Sequence, residues 1–343
     1  MASANEDRFL GSLLGMAIGD ALGMPVEGWP RERIAARLGR VDGYGRRVFA
    51  NGAEIKPGEF TDETEIALAI VETLTTNGGH LDRDLIGNRL LYLARGESKR
   101  WMGAATLAAL AAADDTLAFE VPLDEDAPAT GDVAARGVPI GLLHAVGAFD
   151  PAALRADAEA VVRLTHGSPA AIAAAAAVAF GVQLAARGDA LPDRWARDTS
   201  DFLGTGELAE RLARAADLGD AGIPIDDALR DLGTGEPAAE SVPAAFYAAM
   251  TAAGIEAAVF AAVNGGGDTD TVGAIAGALA GASCGVSGIP QALIDDLEGR
   301  IYISLAAPWF YRAAQRRASR VIDLRFGEPG AEPPPRPTLP PSH

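Results

Sequence analysis

The chain has 343 residues, 49% of them hydrophobic, so it can bury a large core, and its length would permit one domain or two. Its formal net charge of −18 at pH 7 argues against nucleic-acid binding and against an anionic membrane surface as partner, because both require basic patches. Cys284 is the single cysteine, which excludes an intramolecular disulfide and fits a reducing compartment. No apolar signal core follows the polar residues 1–8, so we expect a cytoplasmic protein.

Helical patterns dominate the chain, and many of them open with Asp, Ser, Thr or Pro, which favour helix starts. The expected helices cover residues 7–22, 63–75, 82–93, 103–113, 136–145, 151–164, 169–186, 206–216, 238–252, 255–263, 269–282 and 290–315. Only the surroundings of Val48 and Phe49 have a weak strand pattern. The sequence therefore predicts an all-α fold with a single compact domain over residues 1–326. The Pro- and Glu-rich residues 327–343 are expected to form a disordered tail.

Two runs rich in Ala and Gly, residues 170–186 and 272–288, could be mistaken for membrane spans. Both are shorter than the roughly 20 residues that a span requires, and neither has Lys or Arg flanks. We expect both to be buried helices.

The first expected helix carries glycine at every fourth position, on one stripe of its surface. These glycines are Gly11, Gly15, Gly19 and Gly23. Each costs about 1 kcal/mol relative to Ala in a helix interior. Close approach of another helix backbone, or of a ligand, would offset that cost.

Two oxygen-rich clusters stand where helices are expected to begin. The first is Thr61-Asp62-Glu63-Thr64-Glu65, and the second is Asn264-Gly265-Gly266-Gly267-Asp268-Thr269-Asp270-Thr271. Helix capping is one interpretation, since Asp62 and Glu65 fit a capping box. Hard cations such as Mg²⁺ or Mn²⁺ also prefer oxygen ligands of this kind. Two Thr- and Asp-rich clusters far apart in the sequence favour two halves of one metal site.

Four segments, in this order and spacing, resemble the ADP-ribosylglycohydrolase family, and the resemblance covers about residues 8–315. They are residues 11–28, with glycines every fourth position and an Asp-Ala-x-Gly sequence; residues 61–65; Thr165-His166-Gly167-Ser168-Pro169; and residues 265–271. The resemblance implies an all-α fold, a binuclear Mg²⁺ or Mn²⁺ centre in a cleft, and hydrolysis of a bond to the anomeric carbon of ribose.

Residue-by-residue transfer from the family assigns the metal ligands to Thr61, Asp62, Glu63, Asp268, Asp270 and Thr271. It places Glu27 beside the metals, as a ligand or a mobile gate. Asp62 or Glu63 is the candidate base, because carboxylates near the anomeric carbon can activate water and stabilise the positive charge that develops there. Water activation by the two cations, without a separate protein base, is the alternative.

The expected substrate-binding residues are Gly131, Asp132, Arg136, Trp101, His166, Gly266 and Gly267. Here the chain departs from the family. Glu63 replaces a usual Asp, and residues 130–139 keep Arg136 and Pro139 but lack the Asn and Met that many relatives have in this segment. Trp101 stands just before Met102-Gly103, where one branch has an acidic base, and an indole cannot take that role but can stack on a base or sugar.

Three functions remain open at this point. The first is a metal-dependent hydrolase that releases ADP-ribose from a protein, nucleic acid or small molecule. The second is a hydrolase of a smaller ribosyl compound, such as a nucleoside or nucleotide N-glycoside. The third is a non-catalytic ligand-binding protein on the same fold. The oligomeric state is not predicted.

Overall fold

Helices make up most of the part of the chain that the computed structural model describes, which is residues 4–50, 52–116 and 118–325, with side chains up to residue 319. The α-helices are α1 (Glu6–Gly23), α2 (Arg31–Leu38), α3 (Asp62–Thr76), α4 (Arg83–Ala94), α5 (Ala104–Thr116), α6 (Gly131–Ala135), α7 (Gly137–His144), α8 (Pro151–Val162), α9 (Pro169–Arg187), α10 (Trp195–Leu203), α11 (Glu207–Asp220), α12 (Ile225–Leu232), α13 (Ala238–Thr251), α14 (Ile255–Asn264), α15 (Thr269–Cys284), α16 (Gln291–Asp295) and α17 (Arg300–Arg325). Strands β1 (Arg47–Val48) and β2 (Glu54–Ile55) pair antiparallel. The all-α fold class, in a single compact helical domain, is confirmed. The expected tail, residues 327–343, lies outside the described residues.

Four short helices were not expected from the sequence: α2, α6, α10 and α12. Helix α2 buries only Ile34, so it has no apolar periodicity to detect. The expected helix over residues 290–315 is instead two helices, α16 and α17. The chain turns between them at Gly299, whose φ of 67° lies in the left-handed region that favours glycine.

Helices α1 and α15 form the centre of the protein and run antiparallel, with α9, α13, α14 and α17 packed around them. Two segments are long and apolar enough to cross a membrane by composition, Glu6–Val26 and Pro169–Arg187. In the folded chain 94% and 72% of their apolar windows are buried, as is usual for core helices of globular proteins. The other run considered from the sequence, residues 272–288, contributes most of α15, which is buried from Thr269 to Ala282.

Candidate active site

The glycine stripe of α1 lies directly against a second glycine stripe, on α15. A Cβ atom added at Gly15 would lie 2.2 Å from the carbonyl oxygen of Gly277, and one added at Gly19 would lie 1.9 Å from that of Gly273. Real Cβ atoms do not approach this closely, so the contact requires glycine on both helices. The α1 stripe is therefore explained by close approach of another helix backbone.

This contact positions the start of α15 beside the end of α1. At that end, the Thr269 hydroxyl donates a hydrogen bond of 2.9 Å to the carbonyl oxygen of Gly23. The acidic cluster that begins with Asp268 is thereby held beside Gly23, at the C-terminal end of α1 and three residues after Asp20 in sequence.

Asp20 joins α1 to the start of α3. It is fully buried, and its carboxylate accepts hydrogen bonds from the backbone N–H groups of Thr61 and Thr64 and from both hydroxyls, the shortest being 2.6 Å from Thr64 Oγ1. Burial raises the pKa of Asp20 to about 6, although these hydrogen bonds lower it. No local sequence pattern indicates that Asp20 caps a helix 41 residues away.

Glu63 connects the two acidic clusters. Its Oε2 atom accepts a hydrogen bond of 2.6 Å from the Thr61 hydroxyl, and its Oε1 atom accepts one of 3.0 Å from the Thr271 hydroxyl. The N-termini of α3 and α15, which are 208 residues apart in sequence, thus meet at one carboxylate. The longer side chain of Glu, where the family usually has Asp, is long enough to make both contacts.

A cleft of about 480 Å³ opens above this meeting point. Its lining includes ten of the predicted site residues: Glu27, Asp62, Glu63, Trp101, Gly131, Asp132, His166, Asp268, Asp270 and Thr271. Thr61 lies behind the lining, buried between Asp20 and Glu63. The structure thus brings the two halves of the predicted site together in one cavity.

Gly266 and Gly267, which the family resemblance assigns to substrate binding, are not among the residues that line the cleft. Both have a left-handed backbone, with φ of 77° and 78°. Gly267 receives a hydrogen bond from the Gly28 N–H and donates one to the Trp29 carbonyl oxygen. The two glycines therefore anchor the loop that carries Glu27.

Arg136 also lies outside the lining, because its side chain is almost completely buried. Its guanidinium donates hydrogen bonds to the hydroxyls of Thr165 and Thr106. The same Thr165 oxygen lies 2.8 Å from Nδ1 of His166, which does face the cleft. Burial and the charge of Arg136 lower the pKa of His166 to about 4, so this imidazole is neutral near pH 7. Arg136 thus supports a residue of the cleft wall from behind.

The carboxylates of the cleft floor repel one another and are poorly solvated. Burial, followed by the neighbouring charges, raises the pKa values of Asp62, Glu63 and Asp270 well above their usual range. Burial also raises the pKa of Asp268 to about 7 and raises that of Glu27. Negative charge is therefore concentrated here at a free-energy cost, which a bound cation would offset.

The donor set matches a hard divalent cation, since it consists of buried carboxylates and threonine hydroxyls. Within the described part of the chain, however, no three His, Cys, Asp or Glu side chains are grouped tightly enough to enclose an ion. The chemistry of the side chains therefore fits Mg²⁺ or Mn²⁺, whereas their positions do not form a closed shell.

Several residues of the cleft wall were not identified as site residues from the sequence, among them Phe49, Arg100 and Glu236. Phe49, which follows β1, meets Trp101 edge to face, with ring centroids 5.5 Å apart. Arg100 lies over the Trp101 ring and pairs with Glu59. The weak strand signal near Phe49 was the only local indication of this hairpin.

Comparison with known proteins identifies the family to which the chain is related. The family model for ADP-ribosylglycohydrolase matches residues 1–320. The uncharacterized protein YegU of Escherichia coli K12 is 33% identical over 311 residues, which cover 85% of this chain and 92% of its own. ADP-ribosylarginine hydrolase Tri1 of Serratia proteamaculans is 26% identical, covering 91% of this chain and 81% of its own.

A shorter match, of 74 residues at 40% identity, covers 21% of this chain and 24% of ADP-ribosyl-[dinitrogen reductase] glycohydrolase of Rhodospirillum rubrum. Among solved structures, a chain of an ADP-ribosylglycohydrolase-related protein complex superposes with a TM-score of 0.63 at 28% identity, covering 90% of this chain and 98% of that one. The chain belongs to the ADP-ribosylglycohydrolase family.

Proposed function

We propose that this protein is a metal-dependent hydrolase that cleaves the bond at the anomeric carbon of ribose and releases ADP-ribose. The observation that carries the proposal is the meeting of the α3 and α15 N-termini at the floor of a cleft, where four buried carboxylates repel one another. Family membership supports hydrolysis of an ADP-ribosyl linkage. Two divalent cations, Mg²⁺ or Mn²⁺, would be held by Thr61, Asp62, Glu63, Asp268, Asp270 and Thr271.

Bound cations would supply positive charge to orient the ribose diol and to offset substrate phosphates. Residues of the chain would activate the water and stabilise the developing charge. Asp62 faces the cleft, where its carboxylate is placed to accept a proton from an attacking water. The negative charges of Asp270 and Glu27 favour the positive charge that develops at the anomeric carbon as its bond breaks. Glu63 is held by two threonine hydroxyls, so its contribution is to fix the geometry as much as to ligate.

The aromatic wall suits the planar part of the substrate. Phe49 and Trp101 come from separate segments and touch at the mouth of the cleft. An adenine or other flat ring can stack on such an indole, with Arg100 close enough to contact an adjoining phosphate. Trp101 is therefore proposed as a substrate contact in place of an acidic base.

A smaller ribosyl compound is the second candidate, favoured by the charge of the upper cleft. Asp132 and Glu236 add two carboxylates to the lining, and Arg100 is the one Arg or Lys side chain among the described lining residues. A nucleoside, which lacks phosphates, would not be repelled by these carboxylates.

A product-release assay by mass spectrometry tests both candidates. The enzyme is supplied with Mg²⁺ or Mn²⁺ and a panel of arginine-, serine- and nucleic-acid-linked ADP-ribose, O-acetyl-ADP-ribose, ribonucleosides and nucleotides. Free ADP-ribose from one linkage, abolished by Asp268→Asn and retained by the exposed control Asp193→Asn, would support the first. Ribose or ribose phosphate release without ADP-ribose release would support the second. No turnover of any compound, with ligand binding intact, would contradict both.

A further inference from the structure

An apolar groove of about 740 Å³ runs between α3, α4 and α17, at the opposite end of α3 from the cleft. Ten large hydrophobic side chains are exposed in the described part of the chain, and five of them line this groove: Leu85, Tyr92, Tyr302, Leu305 and Trp309. Tyr92 is 69% exposed and Trp309 is 55% exposed. A contiguous apolar patch of this kind marks a surface that contacts another chain segment or molecule.

The exposed stripe of α17 changes character along its length. Tyr302, Leu305, Trp309, Arg312 and Arg316 follow one another at spacings of three and four residues, so they lie on one side of the helix. The N-terminal half of the stripe is apolar and the C-terminal half is basic. Neither arginine forms an ion pair within residues 4–319.

The chain that follows α17 has the complementary order. Residues 326–343 first bring two acids, Glu328 and Glu332, and then the run Pro-Pro-Pro-Arg-Pro-Thr-Leu-Pro-Pro at residues 333–341. Proline-rich segments are pre-set for the extended polyproline conformation and dock in grooves lined by aromatic rings. Laid antiparallel to α17, this segment would place acids against the basic half of the stripe and prolines against the apolar half.

The lengths also agree. Trp309 lies 16 residues before the end of α17 at Arg325, which is about 24 Å of helix at about 1.5 Å per residue. Residues 326–332 can span at most about 23 Å at about 3.3 Å per residue, which brings Glu332 near Arg312. The proline run then extends for about 28 Å, past Trp309 and Tyr302. Gly327, just beyond the helix, is the residue type that most easily reverses the chain direction.

We propose that residues 326–343 dock in this groove of the same molecule, antiparallel to α17. Glu332 pairs with Arg312, Glu328 pairs with Arg316, and the prolines cover Tyr92, Tyr302 and Trp309. The segment then shields the exposed aromatic and aliphatic side chains of this groove from solvent.

The test uses the full chain labelled with 5-fluorotryptophan and observed by ¹⁹F NMR. The Trp309 resonance is assigned by its loss in Trp309→Phe, and its shift between H₂O and D₂O reports exposure of the ring. Because the ring is 55% exposed when the groove is uncovered, we expect this isotope shift to be less than about a quarter of that of a fully exposed indole. The double variant Glu328→Lys/Glu332→Lys should increase it at least two-fold. Adding Arg312→Glu/Arg316→Glu should return it to the original value, because the ion pairs are restored with reversed signs.

The matched control is Asp193→Lys/Asp201→Lys, which makes the same change of charge at exposed positions on another face and should leave the Trp309 shift unchanged. Sedimentation of each variant at two concentrations completes the experiment. Equal Trp309 shifts in all variants would show that the segment does not dock. A small shift that depends on protein concentration, together with a dimer in sedimentation, would show that a second copy covers the groove instead. Either result overturns the proposal.

Discussion

At the scale of single residues, the site depends on hydrogen bonds made behind the cleft as much as on the residues that line it. Asp20 does not line the cleft. It nevertheless accepts hydrogen bonds from the first turn of α3, and these bonds fix the orientation of Thr61 and Asp62. These bonds are buried and go to a carboxylate, so each contributes more than an ordinary hydrogen bond between neutral groups.

The Thr64→Val substitution tests this support without touching the cleft. Thr64 donates a 2.6 Å hydrogen bond to Asp20, and valine keeps the shape but loses the donor. We expect the free energy of unfolding to fall by about 2 kcal/mol. We also expect weaker Mn²⁺ binding, measured by calorimetry. Thr75→Val, in the same helix, is the control, because that hydroxyl has no hydrogen-bond partner among the described residues and its removal should not lower stability. Equal effects of the two substitutions would contradict the role of Asp20.

Trp101→Ala tests the aromatic wall. A stacked base contributes about 1–3 kcal/mol, so KM for a substrate with a purine should rise about ten-fold or more while kcat changes little. Trp101→Phe should recover most of the loss. Trp309→Ala removes an exposed tryptophan of α17, which lies in the apolar groove away from the cleft, and should leave KM unchanged. A KM unaffected by Trp101→Ala would mean that the ring only packs against Phe49.

At the scale of elements, the active site is assembled by the contact between α1 and α15. Glycines on both helices bring the backbones together, so each helix end is positioned without intervening side chains. The position of Asp268 and Asp270 relative to Asp20 is therefore set by backbone packing over the length of two helices.

Gly277→Ala should disrupt that contact. An added Cβ would lie 2.0 Å from the carbonyl oxygen of Gly15, and no flexible side chain can move away to accommodate it. We expect stability to fall by about 3 kcal/mol or more in chemical denaturation. Gly219→Ala is the control, because its Cβ would meet only the mobile end of Met250, and alanine gains up to about 1 kcal/mol in a helix. A Gly277 variant as stable as the wild type would rule out the close backbone contact.

The two acidic clusters, the glycine stripe and most helices could be predicted because their signals are local: spacing, helix starts and oxygen-rich ends. The roles of Asp20, Arg136 and Gly267 could not be predicted, because each of these residues supports a segment that is distant in the sequence. A carboxylate that caps another helix has the same local pattern as one at a helix end in solvent. The short helix α2 was not predicted, and the hairpin was predicted only weakly. Each buries too few apolar residues to produce a periodic hydrophobic pattern in the sequence.

At the scale of the whole molecule, the buried carboxylates make stability depend on pH and on cations. The pKa values of Asp20 and Asp268 rise from an ordinary 3.8 to about 6 and about 7, so the folded state binds more protons than the unfolded state between pH 4 and 7. The stability that these two carboxyl groups contribute is therefore fully present below pH 4, and it is lost as the pH rises through about 6 and about 7.

The expected result is a Tm, in the presence of EDTA, that decreases between pH 5 and pH 8. Saturating Mn²⁺ should remove most of this decrease, because the cation stabilises the charged carboxylates and binds more tightly as they lose protons. Differential scanning fluorimetry at several pH values measures both. A Tm in EDTA that rises from pH 5 to pH 8 would have the wrong sign for raised pKa values.

The pairing of α1 with α15 also has a consequence for how the protein is made. The Ser12 hydroxyl donates to the carbonyl oxygen of Ala278, a partner that is 266 residues further along the chain. At about 5–20 residues per second, a ribosome takes roughly 13–53 s to synthesise that interval. During this time the glycine stripe of α1 lacks α15, the helix against which it packs in the folded protein. Helix α1 thus completes its native contacts only after α15 has been synthesised, and the candidate active site cannot form before then.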